Sequence, residues 1–139
     1  NPYLYNYYGV NGEKKRFRNK ISSGLVSSIW LQFGTDIKLL ESEFKFLKST
    51  VNNLSKSYHQ EINFYGSLFI PSRLFISRFK FRPWKGVYIS DNYLNSLENF
   101  DKFTKDLIQF YLDNNICPVI ETEFTSLEKI EKIYTLLNN

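Results

Sequence analysis

The sequence has no methionine and only one cysteine and one histidine in 139 residues. Without a methionine, Asn1 is not a translational start, so a processed, truncated or partial polypeptide is expected. The single Cys117 excludes an internal disulfide and is compatible with a reducing compartment. One His and one Cys exclude a Cys/His zinc site built within the chain, so no metal is assigned. No apolar run approaches the roughly 20 residues of a membrane-spanning helix. The start, Asn1-Pro2-Tyr3-Leu4-Tyr5, has neither the charged nor the apolar part of a signal peptide. The expectation is a soluble, cytoplasmic protein with no membrane partner. Ser/His/Asp sets, Walker loops and HExxH motifs are missing as well.

What is present suffices for a core: 42% of residues are hydrophobic and 23% charged, as in ordinary globular domains. The net charge of +4 is mild and below what a nucleic-acid-binding domain requires. Asn, Lys, Ile, Phe and Tyr are abundant together, a bias that AT-rich coding produces.

Hydrophobic spacing organises the chain. Residues 1–11 read as loop. Residues 12–23 fit a basic surface helix that Gly24 stops, since glycine takes the left-handed conformation without strain. Residues 27–33 are a short apolar strand. Thr35 or Asp36 caps a helix whose apolar positions are Ile37, Leu40, Phe44, Leu47, Val51 and Leu54, alternating steps of three and four on one face. Residues 62–70 form a strand that Pro71 ends, and residues 72–81 a short helix before Pro83. Residues 86–90 are briefly extended. Ser90 or Asp91 caps a helical region carrying Phe100, Phe103, Leu107 and Phe110, which Asn114-Asn115 breaks. Residues 117–121 are a third core strand. A capping box, Thr125-x-x-Glu128, opens a last helix with Leu127, Ile130, Tyr134 and Leu137 on one face.

Strands alternating with helices predict an α/β fold with a parallel sheet. A (β/α)8 TIM-type barrel averages about 250 residues, so residues 1–139 read as a single domain piece, about half of such a barrel. An open doubly wound sheet lacks its Gly-x-Gly-x-x-Gly signature.

Several residues invite chemistry, each with a plainer alternative. His59 reads as a surface residue. Cys117 lies in an apolar strand without a basic neighbour and reads as a buried structural cysteine. Glu121 and Glu123 follow a core strand, where barrels keep their active sites. Two residues apart, they point to one side, although a loop cap and a solvated carboxylate would give the same pattern. Gln32 closes a strand, and its amide offers a donor and an acceptor to a heteroaromatic ring edge or a satisfied pair in the core. Arg73, Arg78, Lys80, Arg82 and Lys85 interleave with Phe75, Phe79, Phe81 and Trp84. This is either a basic-aromatic binding surface or an amphipathic helix with its rings in the core. Lys14, Lys15, Arg16, Arg18 and Lys20 suit a cofactor diphosphate or a solvated helix face.

Taken in order, Asn1-Pro2-Tyr3, Glu13-x-x-Arg16-Phe17-x-x-Lys20-x-x-x-Gly24 and Trp30-Leu31-Gln32 resemble the stretch after the fifth strand of the methylenetetrahydrofolate reductase barrel. Residues 64–72, Phe-Tyr-Gly-Ser-Leu-Phe-Ile-Pro-Ser, resemble its seventh-strand segment, and residues 119–124 its eighth strand. The resemblance implies a flavin-dependent oxidoreductase. FAD would be the cofactor, a reduced nicotinamide a co-substrate and a folate-type small molecule the substrate. It also implies a contact from Glu13 to the flavin, Lys20 near the flavin diphosphate and Gln32 on the folate. The family's proton donor lies on earlier strands, so no catalytic residue falls in this chain. The alternative is a non-catalytic half-barrel module whose basic-aromatic surface meets RNA or a protein. Two unpaired sheet edges in such a piece predict that alone it dimerises, aggregates or stays partly unfolded; the full-length protein is expected to be a homo-oligomer.

Overall fold

The computed structural model describes residues 9–54, 61–121 and 126–138. His59, Glu123, Thr125 and the Asn1-Pro2-Tyr3 segment lie outside them. Helix α1 (Val10–Ser22) begins two residues earlier than its spacing suggests, after Gly9 at φ 70°. It stops as expected at Gly24, φ 69°. Strand β1 (Ser28–Leu31) leads to helix α2 (Ile37–Leu54). Of the two candidate caps, Asp36 does the work: its Oδ1 accepts from the Leu39 N–H at 2.9 Å. The Thr35 hydroxyl instead accepts from the Ser90 N–H at 2.9 Å.

Strand β2 (Asn63–Phe69) ends before Pro71, and Ser72 caps helix α3 (Arg73–Phe81) through the Phe75 N–H at 3.0 Å. The helical region expected next is two helices, α4 (Asp91–Leu94) and α5 (Leu97–Asp113). Ser96 causes the break, because its hydroxyl accepts from the Asn99 N–H at 3.2 Å. A serine that caps offers the backbone an alternative to continuing the previous turn. Asn115 closes α5 in the left-handed region (φ 56°). Strand β3 (Ile116–Glu121) and helix α6 (Leu127–Asn138) complete the described elements.

The architecture is α/β: three parallel strands in the order β1-β2-β3, alternating with helices. Leu31 stands opposite Gly66, and Gly66 opposite Pro118. Proline is tolerated there because β3 is, among the described residues, an edge strand that needs no N–H on its outer side. Helices α2 and α5 cover the same face. Phe44 packs edge-on against both Phe64 and Phe110. The Tyr111 ring lies so close over Gly66 that any side chain there would strike it. The Tyr111 hydroxyl then donates to the Ser67 carbonyl at 2.9 Å.

Side chains alternate along a strand, so Trp30, Tyr65 and Cys117, which are in register, share the opposite face. Trp30 is 59% exposed there, its indole N–H donating to Ser67 Oγ at 2.6 Å. Cys117 is exposed, which corrects the expectation of a buried cysteine. Its strand is apolar, but its parity turns it away from the helices. Parallel sheets ordinarily bury both faces; here the face opposite α2 and α5 is covered toward its C-terminal end, where Ser67 and Phe69 are buried, and open at Trp30 and Cys117.

The apolar stripe expected on α6 points outward. The stripe of Leu127, Ile130 and Tyr134 faces solvent at 79%, 48% and 71% exposure, and Ile133 is the anchor at 4%. Periodicity locates an apolar face, but the direction of that face depends on what surrounds it. At the C-terminal end of the sheet Phe33 meets Phe69, Phe100 and Phe103 at centroid distances of 4.5, 6.0 and 6.0 Å. The segment after α3 folds back over this end, where Tyr88 bridges to Gly34 and its carbonyl accepts from the Thr35 N–H at 2.9 Å.

Candidate functional site

Glu13 and Lys20 are seven residues apart on α1. At 3.6 residues per turn that spacing returns to the same face, about 10 Å further along the axis. This face looks toward α2 and β1. Only Ile21 of α1 is buried, so the helix is attached mainly at its rim. Lys14 Nζ lies 3.2 Å from Glu43 Oε1 and 4.8 Å from the Phe46 ring centre. Arg18 lies over the same ring at 5.1 Å, and Phe17 meets it at 6.0 Å. Cation–π contacts of this kind contribute about 0.5–1 kcal/mol each at exposed sites, far less than a packed apolar face.

Held this way, α1 stands off the sheet and leaves a cavity of about 540 Å³ between itself, β1 and α2. Small-molecule sites typically span ~300–1,000 Å³. Glu13 and Lys20 line it from α1, Gln32 from the end of β1, and Glu43 and Phe44 from α2. The three residues singled out from the sequence therefore meet around one space. Among the described residues no strand pairs with the outer edge of β1, and β1 itself forms one wall.

The lining is mixed. Phe17, Ile21, Leu40 and Leu47 give an apolar floor, while Lys14, Arg16 and Lys20 bring positive charge along α1. Glu13 turns a buried Oε1 inward, 3.6 Å from Arg16 Nε. Gln32 is half-buried and keeps an amide at one end. Such a set can hold a molecule with a flat apolar part and an anionic part, the amide reading a ring edge and the carboxylate accepting from hydroxyls.

Glu121 is not part of this space: it ends β3, two strands away, half-buried, with its carbonyl accepting from the Ile70 N–H at 3.3 Å. Phe75 and Phe79 of the basic-aromatic segment are core residues, at 6% and 4% exposure. The sequence reading missed Glu43, Phe46 and Phe17. Glu43 and Phe46 flank the periodic positions Phe44 and Leu47 of α2, and Phe17 lies between Glu13 and Lys20, so their shared faces were the available signal. Among the described residues no group of three or more His, Cys, Asp or Glu side chains is placed to hold a metal ion, and no helix is long and apolar enough to cross a membrane. Compared with protein-family models, curated proteins and solved structures, the chain matches none.

Proposed function

We propose that this chain is the C-terminal half of a (β/α)8-type barrel in a flavin-dependent oxidoreductase resembling methylenetetrahydrofolate reductase, and that the α1–β1–α2 cavity takes part of the flavin and of a folate-type substrate. One observation carries the reading. Glu13, Lys20 and Gln32, chosen by resemblance from two separate elements, line a single cavity.

The residues fit the group. Lys20, with Lys14 and Arg16 nearby, would hold a diphosphate through charge-assisted hydrogen bonds. Glu13 would accept from hydroxyls, and the Gln32 amide would orient a pterin ring edge. A bound flavin supplies hydride chemistry between a reduced nicotinamide and a folate-linked methylene. This chain's residues bind and orient; none is assigned the proton transfer.

The open margins support the barrel part. The outer edge of β1, the open part of the sheet face at Trp30 and Cys117, and the exposed stripe on α6 are the surfaces that further strand–helix units would cover in a closed barrel. The test is flavin binding to the 139-residue chain, followed by quenching of flavin fluorescence. Loss of a charge-assisted contact in Lys20→Ala should weaken FAD roughly 10- to 100-fold. Gln32→Ala should leave FAD affinity unchanged and weaken a folate analogue. Equal FAD affinity for Lys20→Ala and the parent chain rules the reading out.

A further inference from the structure

Between Glu61 and Asp91 the chain has no acidic residue and five cations: Arg73, Arg78, Lys80, Arg82 and Lys85. The modest net charge of the whole chain hides this local excess. Helix α3 turns Phe75, Ile76 and Phe79 into the core and leaves Leu74, Arg78 and Phe81, spaced four and three, on its outer side. Phe81 is 92% exposed, more than any other large hydrophobic side chain among the described residues. A phenyl ring left in water loses the burial free energy that a covering partner would restore.

Trp84, 47% exposed, follows at once. Its inner edge is fixed by Phe69 and Phe75, each with centroids 5.5 Å away and planes nearly perpendicular. The Phe79 ring adds a third contact at 6.3 Å. This indole is thus held in place before any partner arrives, which lowers the entropy lost on binding. Arg82 and Lys85 flank it and are exposed. Lys80 is tied to Asn95 Oδ1 at 2.8 Å, on the side facing α4 and α5.

We infer that the surface of Arg78, Phe81, Arg82, Trp84 and Lys85 binds single-stranded nucleic acid, bases stacking on Phe81 and Trp84 and phosphates meeting the cations. The chemistry matches on both counts: stacking accepts any base, and an acid-free cationic stretch tracks a backbone. An anionic membrane fits less well. An interfacial helix inserts a continuous apolar face, and that of α3 is already spent on the core, leaving Leu74 and Phe81 as isolated side chains. The inference is independent of the cavity at β1, which shares none of these residues.

The test uses the full chain and a fluorescently labelled oligouridylate of about 15 nucleotides, near the upper site size of single-strand binders, read by anisotropy at low salt. Saturable binding is expected, with a log–log salt slope of about −2 for three phosphate contacts. Phe81→Ala should weaken it at least about fivefold without moving the thermal midpoint, because that ring touches little. Phe81→Trp should restore it. The Arg82→Ala, Lys85→Ala double variant should flatten the salt slope. No binding at low salt, or affinity indifferent to Phe81→Ala, overturns the inference. So does Phe81-dependent binding to phosphatidylserine vesicles in preference to the oligonucleotide, which would assign the surface to lipid.

Discussion

At the C-terminal end of the sheet, Phe33, Phe69, Phe100 and Phe103 meet ring to ring and are all nearly inaccessible. At the outer edge of β1, α1 meets α2 through an ion pair, cations over Phe46 and a single ring contact between Phe17 and Phe46. Both regions are rich in aromatic residues, yet one is solid and the other encloses a cavity. The difference lies in what mostly touches the rings: three neighbouring rings around Phe33, but one ring and two cations around Phe46. Aromatic surface against aromatic surface excludes water and fixes position. A charged head group over a ring keeps part of its hydration and holds the helix at arm's length. The first arrangement builds a scaffold, and the second leaves room for a ligand.

Four substitutions measure that contrast, beginning with the largest effect. Phe100→Ala, at a fully buried member of the ring cluster, should lower unfolding free energy by about 3–5 kcal/mol, seen as a fall in the urea midpoint at constant slope. A loss below about 1 kcal/mol would mean the cluster is no tighter than the cleft. Gly66→Ala should come next, at about 1–3 kcal/mol from overpacking against Tyr111. The same change in a Tyr111→Leu background should be far milder if the ring is the obstacle.

Tyr111→Phe removes one buried hydroxyl and leaves the Ser67 carbonyl short of a donor, for about 1–2 kcal/mol, again by urea titration. Lys20→Ala is the smallest in stability, within about 0.5 kcal/mol, because its side chain is at the rim. A large stability loss there would show that α1 depends on Lys20 for docking and would blur the distinction between cleft and core. The open part of the sheet face opposite α2 and α5 offers a parallel check without any substitution. Cys117 should react with a thiol reagent in the native protein as fast as in urea, whereas a cysteine turned toward the helices would be protected.

Much of the fold was legible because it is repetitive. The three-and-four spacing of Ile37 to Leu54 names α2 and its buried side, and Pro71 and Gly24 mark ends where the backbone has few options. The candidate site was legible only as separate residues. Glu13 and Lys20 share a helical face by arithmetic, but that Gln32 joins them depends on how α1 lies across β1. Helix α6 shows the converse. Its periodic stripe is real, and it points into solvent because the described chain puts nothing against it. Ser96 was invisible for another reason: a serine inside a helical run is compatible with continuation or with a cap, and only the neighbouring backbone chooses.

The sequence by itself determined the alternation of strands and helices, their approximate ends and the excess of cations between Glu61 and Asp91, since these depend on local spacing and composition. Only the tertiary structure decided which sheet face is covered, why Cys117 is exposed, and that a cavity opens beside β1. Those outcomes depend on contacts between residues far apart in the chain, such as Gly66 with Tyr111 and Lys14 with Glu43, and no local pattern encodes where such partners meet.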